Sequence, residues 1–495
     1  MMKTARRWLA APLLLGSLGA CAPALGGAGP GALTPLGSEI DSIFDDPEFA
    51  HAHWGVLFRS LETGETIYSR NAERLFLPAS NMKLITGAAG LETLGPEYRY
   101  RTTISMGGPI ADGAVDGPLI VTGTGDPTFS GRFLEDPREI FRAWADSLRA
   151  QGVTRIAGGV IGVDTAFSDP TLGQGWMWDD LAGSSSAEFG ALQFNHGIVR
   201  LEIFPSQTVL QPAVVVLDPP TQFVRIINDT RTMPAGSETN LRVTRDDAGS
   251  AIIIRGEIAA DDDGFGRTVA IRNPALYLAS IVRETLRESG ISVEGPAIHY
   301  PAVGIDAPMI REAVPLFYHY SPPLREILAG MMKPSQNQIA ETLLRTVGRE
   351  ARGDGSASAA REVIDSLFVA WEFEHTRARI ADGSGLSRYD HLSPALLVEL
   401  LERMDRSTLR EDWIASLPIA GRDGTLESRM EEPPLVEQVR AKTGTLSGVR
   451  ALSGYLTTQS GERIAFSTMV NGSLLGSSAA DRVVEAALER IAVSR

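Results

Sequence analysis

The sequence predicts a mixed α/β protein of the α+β kind, because strand-like and helix-like patterns both occur and turn residues divide them. Segments 54–61 and 66–71, on either side of a short polar turn, predict a first pair of strands. Apolar residues at helical spacing over 82–91 predict a buried helix directly after them. Segments 449–457 and 463–470 predict an antiparallel hairpin near the end of the chain. Helices and antiparallel strands are therefore expected in one fold.

Length and composition bound the class of protein. A chain of 495 residues exceeds one average domain, so several domains are expected. Its 43% hydrophobic and 22% charged residues are typical of a globular protein with a sizeable core. The formal net charge of −15 argues against a nucleic-acid partner, which would favour a basic face.

Residues 1–20 predict a secretory signal peptide rather than a folded element. Lys3, Arg6 and Arg7 give a positively charged start. The apolar run 8–20 that follows is too short to span a bilayer and ends in small residues. Export from the cytoplasm is therefore expected.

The cleavage region resembles a bacterial lipoprotein signal. Leu18-Gly19-Ala20 precede Cys21, which is the single cysteine of the chain and so cannot form an internal disulfide. We expect Cys21 to carry a lipid anchor, and ordinary cleavage beside an incidental cysteine is the alternative. The Gly/Ala/Pro-rich segment 21–37 predicts a flexible linker, so folded structure is expected from Ser38.

Lysine is rare in this chain, and its positions direct attention to three short motifs. It occurs only at Lys3, Lys83, Lys333 and Lys442, whereas lysine and arginine together number 46. Arginine stays protonated at any useful pH, but a desolvated lysine can lose its proton. The lysines outside the signal are therefore candidates for chemistry that needs an amine.

Ser80 and Lys83 form an SxxK motif at the start of the helix predicted over 82–91. The spacing puts the amine one helical turn from the serine hydroxyl, on the same face. The helix N-terminus also favours developing negative charge, as a nucleophile requires. Alone, the motif is weak, because serine is a common helix cap.

Lys442-Thr443-Gly444-Thr445 forms a KTG motif directly before the predicted C-terminal hairpin. An edge strand that carries a glycine lets the backbone of a ligand lie beside it. A tripeptide of this kind is also weak evidence by itself.

Ser335 and Asn337 form an SxN motif between two predicted helices. Apolar residues in 324–332 and then in 339–347 follow helical spacing. Polar groups on such a connection are rigidly held, although a serine cap is the ordinary explanation. The neighbouring Lys333 is either a third functional amine or a cap for the helix C-terminus.

Together, SxxK, SxN and KTG in this order resemble the signature of penicillin-binding proteins and serine β-lactamases. Ser80 and Ser335 are 255 residues apart, and such a large insert resembles the class C low-molecular-mass penicillin-binding proteins, the penicillin-binding protein 4 type. Further segments are similar to that family; they are 125–127, 175–181, 331–333, 382–388 and 417–424.

The resemblance implies a serine β-lactamase/transpeptidase-like catalytic domain, an antiparallel sheet flanked by helices, that is split into residues 38–97 and 301–495. Residues 98–300 would form the insert, whose short strands and turns predict two small strand-rich domains. A closing helix is expected from Asp481.

The resemblance also implies a D-alanyl-D-alanine carboxypeptidase that needs no cofactor or metal. Ser80 would attack the carbonyl between the two terminal D-alanines of a peptidoglycan stem peptide, with Lys83 as the base. Ser335 would pass a proton to the leaving amine, Asn337 would orient Lys83 and the peptide, and Lys442 would complete the catalytic set. β-Lactam antibiotics would acylate the same serine.

Substrate-binding residues are implied in the same way. Thr443, Gly444 and Thr445 would hold the backbone and terminal carboxylate of the substrate beside Lys442. The oxyanion hole would consist of the backbone N–H groups of the nucleophile and of Thr445. Asp126 and Arg388 would line the pocket for the stem-peptide side chain, and a turn-stabilising role is their alternative.

Two other functions stay open from the sequence. A class A β-lactamase would need a Glu-x-x-Leu-Asn pattern between Asn337 and Lys442, and none is present. A non-catalytic envelope-binding lipoprotein would be expected to have lost a catalytic lysine, yet both remain. Endopeptidase action on cross-links can use the same site. Under each of these functions, the expected location is the same. The predicted signal peptide and Cys21 place the protein in the cell envelope, in the periplasm and held to a membrane by a lipid anchor.

Overall fold

The computed structural model describes residues 34–246 and 251–495. The expected signal peptide, Cys21 and most of the expected linker therefore lie outside the described residues. Among the helices in the described ranges, none is long and apolar enough to cross a membrane.

Runs of strands and runs of helices follow one another along the chain. The helices are α1 (Pro35–Phe44), α2 (Met82–Leu94), α3 (Glu139–Ala150), α4 (Pro274–Glu288), α5 (Pro308–Arg311), α6 (Leu324–Met332), α7 (Asn337–Arg352), α8 (Ala357–Ala370), α9 (Pro394–Arg406), α10 (Arg410–Ser416) and α11 (Ser477–Ser494). The strands are β1 (His53–Ser60), β2 (Thr66–Arg70), β3 (Arg101–Met106), β4 (Ile110–Ala111), β5 (Ala114–Val115), β6 (Leu119–Thr122), β7 (Arg155–Ile156), β8 (Val160–Val163), β9 (Ile198–Phe204), β10 (Val214–Asp218), β11 (Arg225–Met233), β12 (Asn240–Arg245), β13 (Ala251–Ala259), β14 (Phe265–Ala270), β15 (Ser292–Val293), β16 (Ala297–His299), β17 (Val314–Tyr320), β18 (Ala378–Arg379), β19 (His391–Leu392), β20 (Val439–Leu446), β21 (Val449–Thr457) and β22 (Arg463–Asn471).

Helix α1 begins inside the segment 21–37 that the composition predicts as a linker. Thr34 caps it, since its Oγ1 accepts a hydrogen bond of 3.0 Å from the backbone N–H of Gly37. Ile40 and Phe44 are buried, so the helix packs onto the fold. The expected start of folded structure at Ser38 is therefore slightly late, because a capped helix can begin in a Gly- and Pro-rich stretch.

Strands from both ends of the chain form one antiparallel sheet in the order β2-β1-β22-β21-β20. Leu57 in β1 lies opposite Ser467 in β22, so the two distant parts of the chain build one domain. β20 carries the KTG residues and is an edge of this sheet, as the sequence predicts.

Helices cover both faces of the sheet. On one face, Phe58 of β1 shares a buried cluster with Val484 and Leu488 of α11. On the other face, Leu57 and Met469 belong to a second cluster that also holds buried residues of α2, α6, α7, α8 and α9. The predicted fold class, an antiparallel sheet flanked by helices, is confirmed.

The insert is rich in strands, as predicted. Its sheets have the strand orders β16-β8-β6-β3-β17, β15-β7-β5-β4, β10-β9-β14 and β11-β13-β12. All four contribute to one buried cluster that includes Ile104, Ile156, Leu201 and Ile254. The two small domains expected here therefore share one large apolar cluster, and a smaller one lies around Ile120, Ile161 and Val163.

The insert also extends beyond its expected end at residue 300. Strand β17 pairs with β3, with Tyr320 opposite Arg101, so residues up to the start of α6 complete a sheet of the insert. The sequence predicts the end of the insert too early, because β17 carries no local signal that its pairing partner is β3, far away in the sequence.

Candidate active site

Ser80 lies in a short 3₁₀ turn, Ala79–Asn81, that leads directly into α2. The preceding Ala79 is fully buried and has a φ of 47°, a left-handed conformation that costs energy for a residue with a side chain. Such backbone strain clusters at functional sites, where the surrounding structure holds it in place. The turn presents the Ser80 hydroxyl at the first turn of the helix, as predicted.

Lys83 is fully buried one turn along the same helix. Its Nζ donates hydrogen bonds to Ser80 Oγ at 2.9 Å, to Asn337 Oδ1 at 2.6 Å and to the backbone oxygen of Ser384 at 2.7 Å. The amine is thus fixed between the SxxK motif, the SxN motif and a loop that follows β18.

Burial lowers the pKa of Lys83 from 10.5 to about 7, because the charged form loses its hydration. The negative charges of Asp382, Glu341 and Asp390 act in the opposite direction and keep the pKa from falling further. An amine with this pKa has an appreciable neutral fraction near pH 7 and can accept a proton there.

The sequence does not predict that the carboxyl groups of Asp382, Glu341 and Asp390 lie together near Lys83. Glu341 is fully buried and accepts hydrogen bonds of 2.8 Å from the backbone N–H groups of both Gly383 and Ser384. These bonds orient the loop whose Ser384 carbonyl accepts a hydrogen bond from Lys83. Burial and the nearby Asp382 raise the pKa of Glu341 to about 7. Segment 382–388 was noted for family resemblance, but nothing in the sequence links it to Glu341.

Ser335 and Lys442 form a second hydroxyl–amine pair beside the first. Ser335 has a φ of 63° between α6 and α7, and Lys442 Nζ donates to its Oγ at 2.8 Å. Lys442 is fully buried, and its pKa is lowered well below the ordinary value by burial and by the charges of Lys83 and Arg450. The chain therefore brings two depressed-pKa lysines to two neighbouring serines.

Asn337 connects the catalytic domain to the insert. Its Oδ1 accepts from Lys83, and its Nδ2 donates to the backbone oxygen of Ser185 at 2.8 Å. Ser185 lies in a short 3₁₀ turn of the insert, Ser184–Ser186, which closes one side of the site. The sequence carried no signal for this contact.

These groups border a cavity of about 470 Å³. The residues that line it come from all three motifs and from four neighbouring segments; they are Ser80, Ser185, Pro334, Ser335, Asn337, Gly385, Leu386, Thr425, Thr443, Thr445, Leu446 and Arg450. Gly444 lies close to the SxxK turn, since a Cβ built on it would be 2.8 Å from the backbone oxygen of Pro78. The edge strand β20 thus approaches the serine closely because it carries a glycine there.

Asp126 and Arg388 do not line this cavity. Asp126 is buried and accepts hydrogen bonds from the backbone and hydroxyl of Thr128, at 2.9 and 2.6 Å, in a turn of the insert. Arg388 is only partly buried, and its Nη1 donates to the backbone oxygen of Ser447 at 3.2 Å. Asp126 Oδ2 also lies 3.7 Å from Nε2 of His319, and the oxygen that Arg388 binds belongs to the turn between β20 and β21. The pocket-lining role of the two residues and its turn-stabilising alternative both stay predictions.

Lys333 lies outside the cavity as well. It forms an ion pair with Asp423, and its backbone oxygen accepts a hydrogen bond of 2.9 Å from the N–H of Thr425. The ion pair and the backbone bond tie the end of α6 to the loop that precedes β20.

Nearly the whole chain matches one protein family. The model of the D-Ala-D-Ala carboxypeptidase 3 (S13) family matches residues 36–494. The chain belongs to this family. The family predicted from the three motifs is therefore confirmed, and the protein is a serine-type carboxypeptidase, a hydrolase of the D-alanyl-D-alanine class.

Individual relatives agree over nearly the whole chain. It is 33% identical to a D-alanyl-D-alanine carboxypeptidase of Actinomadura sp. (strain R39), over 93% of this chain and 85% of that protein. It is 28% identical to the D-alanyl-D-alanine carboxypeptidase DacB of Haemophilus influenzae, over 90% of this chain and 93% of that protein. The crystal structure of penicillin binding protein 4 from Haemophilus influenzae superposes with a TM-score of 0.77 at 27% identity, over 91% of this chain and 98% of that one. Because the substrate of this class is cell-wall peptidoglycan, the protein acts in the cell envelope.

Proposed function

We propose that Ser80 is the nucleophile of this carboxypeptidase and Lys83 its general base. The observation that carries the proposal is the 2.9 Å hydrogen bond between Lys83 Nζ and Ser80 Oγ, made by a fully buried amine whose pKa is about 7. A base whose pKa lies near the working pH has a large unprotonated fraction there and still has enough proton affinity to take a proton from serine. The substrate is the D-Ala-D-Ala end of a peptidoglycan stem peptide.

In the acylation step, neutral Lys83 takes the proton of the Ser80 hydroxyl while Oγ forms a bond to the carbonyl carbon between the two D-alanines. The backbone N–H groups of Ser80 and Thr445 stabilise the negative oxygen that develops. The C–N bond then breaks, and the amine of the terminal D-alanine leaves with a proton.

Ser335 and Lys442 supply the route for that proton. The 2.8 Å hydrogen bond from Lys442 Nζ to Ser335 Oγ lets the serine give its hydroxyl proton to the leaving nitrogen and take one from protonated Lys442. The proton that Lys83 took from Ser80 then replaces the one that Lys442 lost, so Lys83 is neutral again. Water then attacks the ester carbonyl while neutral Lys83 takes a proton from the water. The C–O bond to Ser80 breaks, Oγ recovers that proton from Lys83, and the shortened peptide leaves. Penicillins acylate Ser80 by the same first step, because their lactam amide occupies the place of the peptide bond.

Labelled penicillin tests the nucleophile directly. One label per chain should be found on the peptide that contains Ser80, by intact mass followed by peptide mapping. Ser80→Ala should remove it, whereas Ser42→Ala, at an exposed serine on α1, should retain it. Label on another serine, or full labelling of Ser80→Ala, would exclude the assignment.

We also propose that the protein is exported by residues 1–20 and held to a membrane by lipid on Cys21. The support is the positively charged start, the short apolar run and the position of the single cysteine. Cys21→Ala should give an exported, active enzyme that no longer sediments with membranes. Ser80→Ala is the matched control, because it should be inactive and still sediment with them. A wild-type protein found in the soluble fraction would refute the anchor.

A further inference from the structure

Asp382 lies in the loop between β18 and β19 and is fully buried. Its Oδ1 accepts hydrogen bonds from the backbone N–H groups of Ser384 and Gly385, at 3.1 and 2.7 Å. Its Oδ2 accepts from the Ser384 hydroxyl at 2.9 Å, from the backbone N–H of Ser387 at 3.0 Å and from the indole N–H of Trp176, in the insert, at 2.8 Å. So many donors around two oxygens suit a negatively charged carboxylate. The proposed mechanism makes no use of this group.

One peptide unit joins the carboxylate to the amine of Lys83. It is the peptide between Ser384 and Gly385. Its N–H donates to Asp382 Oδ1 at 2.7 Å, and its C=O accepts from Lys83 Nζ, also at 2.7 Å. Hydrogen bonds in such a series polarise one another, so the bond to the carboxylate makes the carbonyl oxygen a stronger acceptor. Because Lys83 also donates to Ser80 Oγ at 2.9 Å, the hydroxyl, amine, peptide and carboxylate form one hydrogen-bond relay.

Other titratable groups act on this relay from the elements packed around it. Glu341 and its ion-pair partner Arg345 come from α7, and Lys442 comes from β20. Asp390 lies in the same loop as Asp382, and burial and the charge of Asp382 raise the pKa of Asp390 well above its usual range. A proton shared by these two carboxyl groups therefore lies on Asp390, and the negative charge lies on Asp382.

We propose that Asp382 is a positioning residue for acylation, which stabilises the ammonium group that Lys83 becomes when it takes the proton of Ser80. The proposal rests on the proposed roles of Ser80 and Lys83. As Oγ forms its bond to the substrate carbonyl carbon, the hydroxyl proton moves to Nζ. The new positive charge meets the Ser384 carbonyl, polarised through the relay, and the charge of Asp382 itself. The neutral amine has no such charge, so Asp382 stabilises the transition state more than the reactant.

This role implies a pH dependence that a purely structural role lacks. Burial lowers the pKa of Lys83 to about 7, and the charge of Asp382 is the largest of the effects that oppose burial. At pH 5 Lys83 is protonated before the reaction, so Asp382 stabilises the resting enzyme and the transition state alike. At pH 8.5 the resting amine is neutral, and only the transition state is stabilised. Loss of the charge should therefore slow acylation at pH 8.5 and have little effect at pH 5.

The experiment measures acylation by one labelled penicillin at these two pH values. Asp382→Asn should stay within about twofold of wild type at pH 5 and fall about tenfold or more at pH 8.5, because an opposite charge near an amine is worth about one pKa unit or more. Ser384→Ala is the matched control. It removes the hydroxyl donor from Asp382 and keeps the charge, so any loss should be the same factor at both pH values. Equal losses at the two pH values for Asp382→Asn, or no loss at pH 8.5, would overturn the role of Asp382.

NMR titration tests the relay even if Asp382→Asn folds poorly. Lysine occurs at only four positions, so lysine labelled with ¹³C at Cε gives few resonances, and Lys83→Arg identifies the one from Lys83. Its midpoint should lie about one pH unit or more lower in Asp382→Asn than in wild type. In the wild type, the amide resonance of Gly385 should shift with the same midpoint as Lys83, because one peptide unit joins them. A Gly385 amide that does not shift over this midpoint would overturn the relay.

The outcomes distinguish this proposal from the proposed function. If wild-type acylation at Ser80 rises with pH and the Asp382→Asn profile runs parallel to it, Asp382 has no such role, and Ser80 and Lys83 keep theirs. Wild-type acylation that does not rise with pH, or penicillin attached to another serine, would instead contradict the proposed function.

Discussion

Replacing Lys83 by arginine isolates the property that the structure gives to this amine. The pKa of Lys83 falls from 10.5 to about 7, a difference of about 3.5 units or about 5 kcal/mol. At pH 7 about half of the Lys83 side chains are then neutral, against roughly one in 3,000 for an ordinary lysine. A guanidinium keeps the charge but is neutral in fewer than about one molecule in 100,000. Acylation by Lys83→Arg should therefore fall by at least about 100-fold, the lower end of a general-base contribution.

The assay is the rate of acylation by one labelled penicillin between pH 5 and pH 9. Only the neutral amine can accept the serine proton, so the wild-type rate should rise about tenfold per pH unit up to about pH 7 and then level off. Lys83→Arg should be slow throughout and lack this rise. Lys333→Arg is the matched control, because Lys333 pairs with Asp423 outside the cavity and should retain the wild-type profile.

Two results would contradict Lys83 as the general base. A Lys83→Arg enzyme that acylates as fast as wild type would show that no proton is taken by this side chain. A wild-type rate that does not change between pH 5 and pH 9 would show that the titrating amine does not limit acylation. Thermal unfolding of each variant separates these outcomes from simple misfolding, since arginine adds volume at a fully buried position.

Three further changes test the surroundings of the amine. Asn337→Asp puts a carboxylate 2.6 Å from Lys83 Nζ, which should raise the pKa of Lys83 by about one unit or more. Because fewer Lys83 amines are then neutral at pH 7, acylation should fall there and recover towards pH 9 in the same assay. Gly385→Ala should lower the free energy of unfolding by about 2 kcal/mol or more in thermal melts, because Gly385 has a φ of +80° and a Cβ would lie 1.8 Å from the Ala79 oxygen. Arg450→Gln should lower kcat/KM about tenfold for peptides with a free carboxylate, because the Arg450 guanidinium lines the catalytic cavity beside Thr445. The C-terminal amide of the same peptide should show no such loss.

The local features of this protein could be predicted from its sequence. Ser80 and Lys83 are one helical turn apart, so their contact follows from α2 alone. The hairpin of β21 and β22 follows from alternation around a short turn, and its position next to the KTG residues follows with it. The family could also be predicted, because its motifs are short and contiguous.

Contacts between residues far apart in the chain depend on how its segments pack together. Asn337 reaches Lys83 across 254 positions, and Glu341 and Ser185 enter the site only because α7 packs beside α2 and the insert folds back over it. The same packing keeps Asp126 out of the cavity and pairs β17 with β3. Burial also sets the pKa of Lys83, since desolvation depends on atoms brought from several segments. Hydrophobic periodicity and motif spacing depend on residues that are close in the sequence, so the sequence shows them directly. The desolvation of a side chain and the pairing of distant strands depend on how the whole chain packs, so they could be read only from the structure.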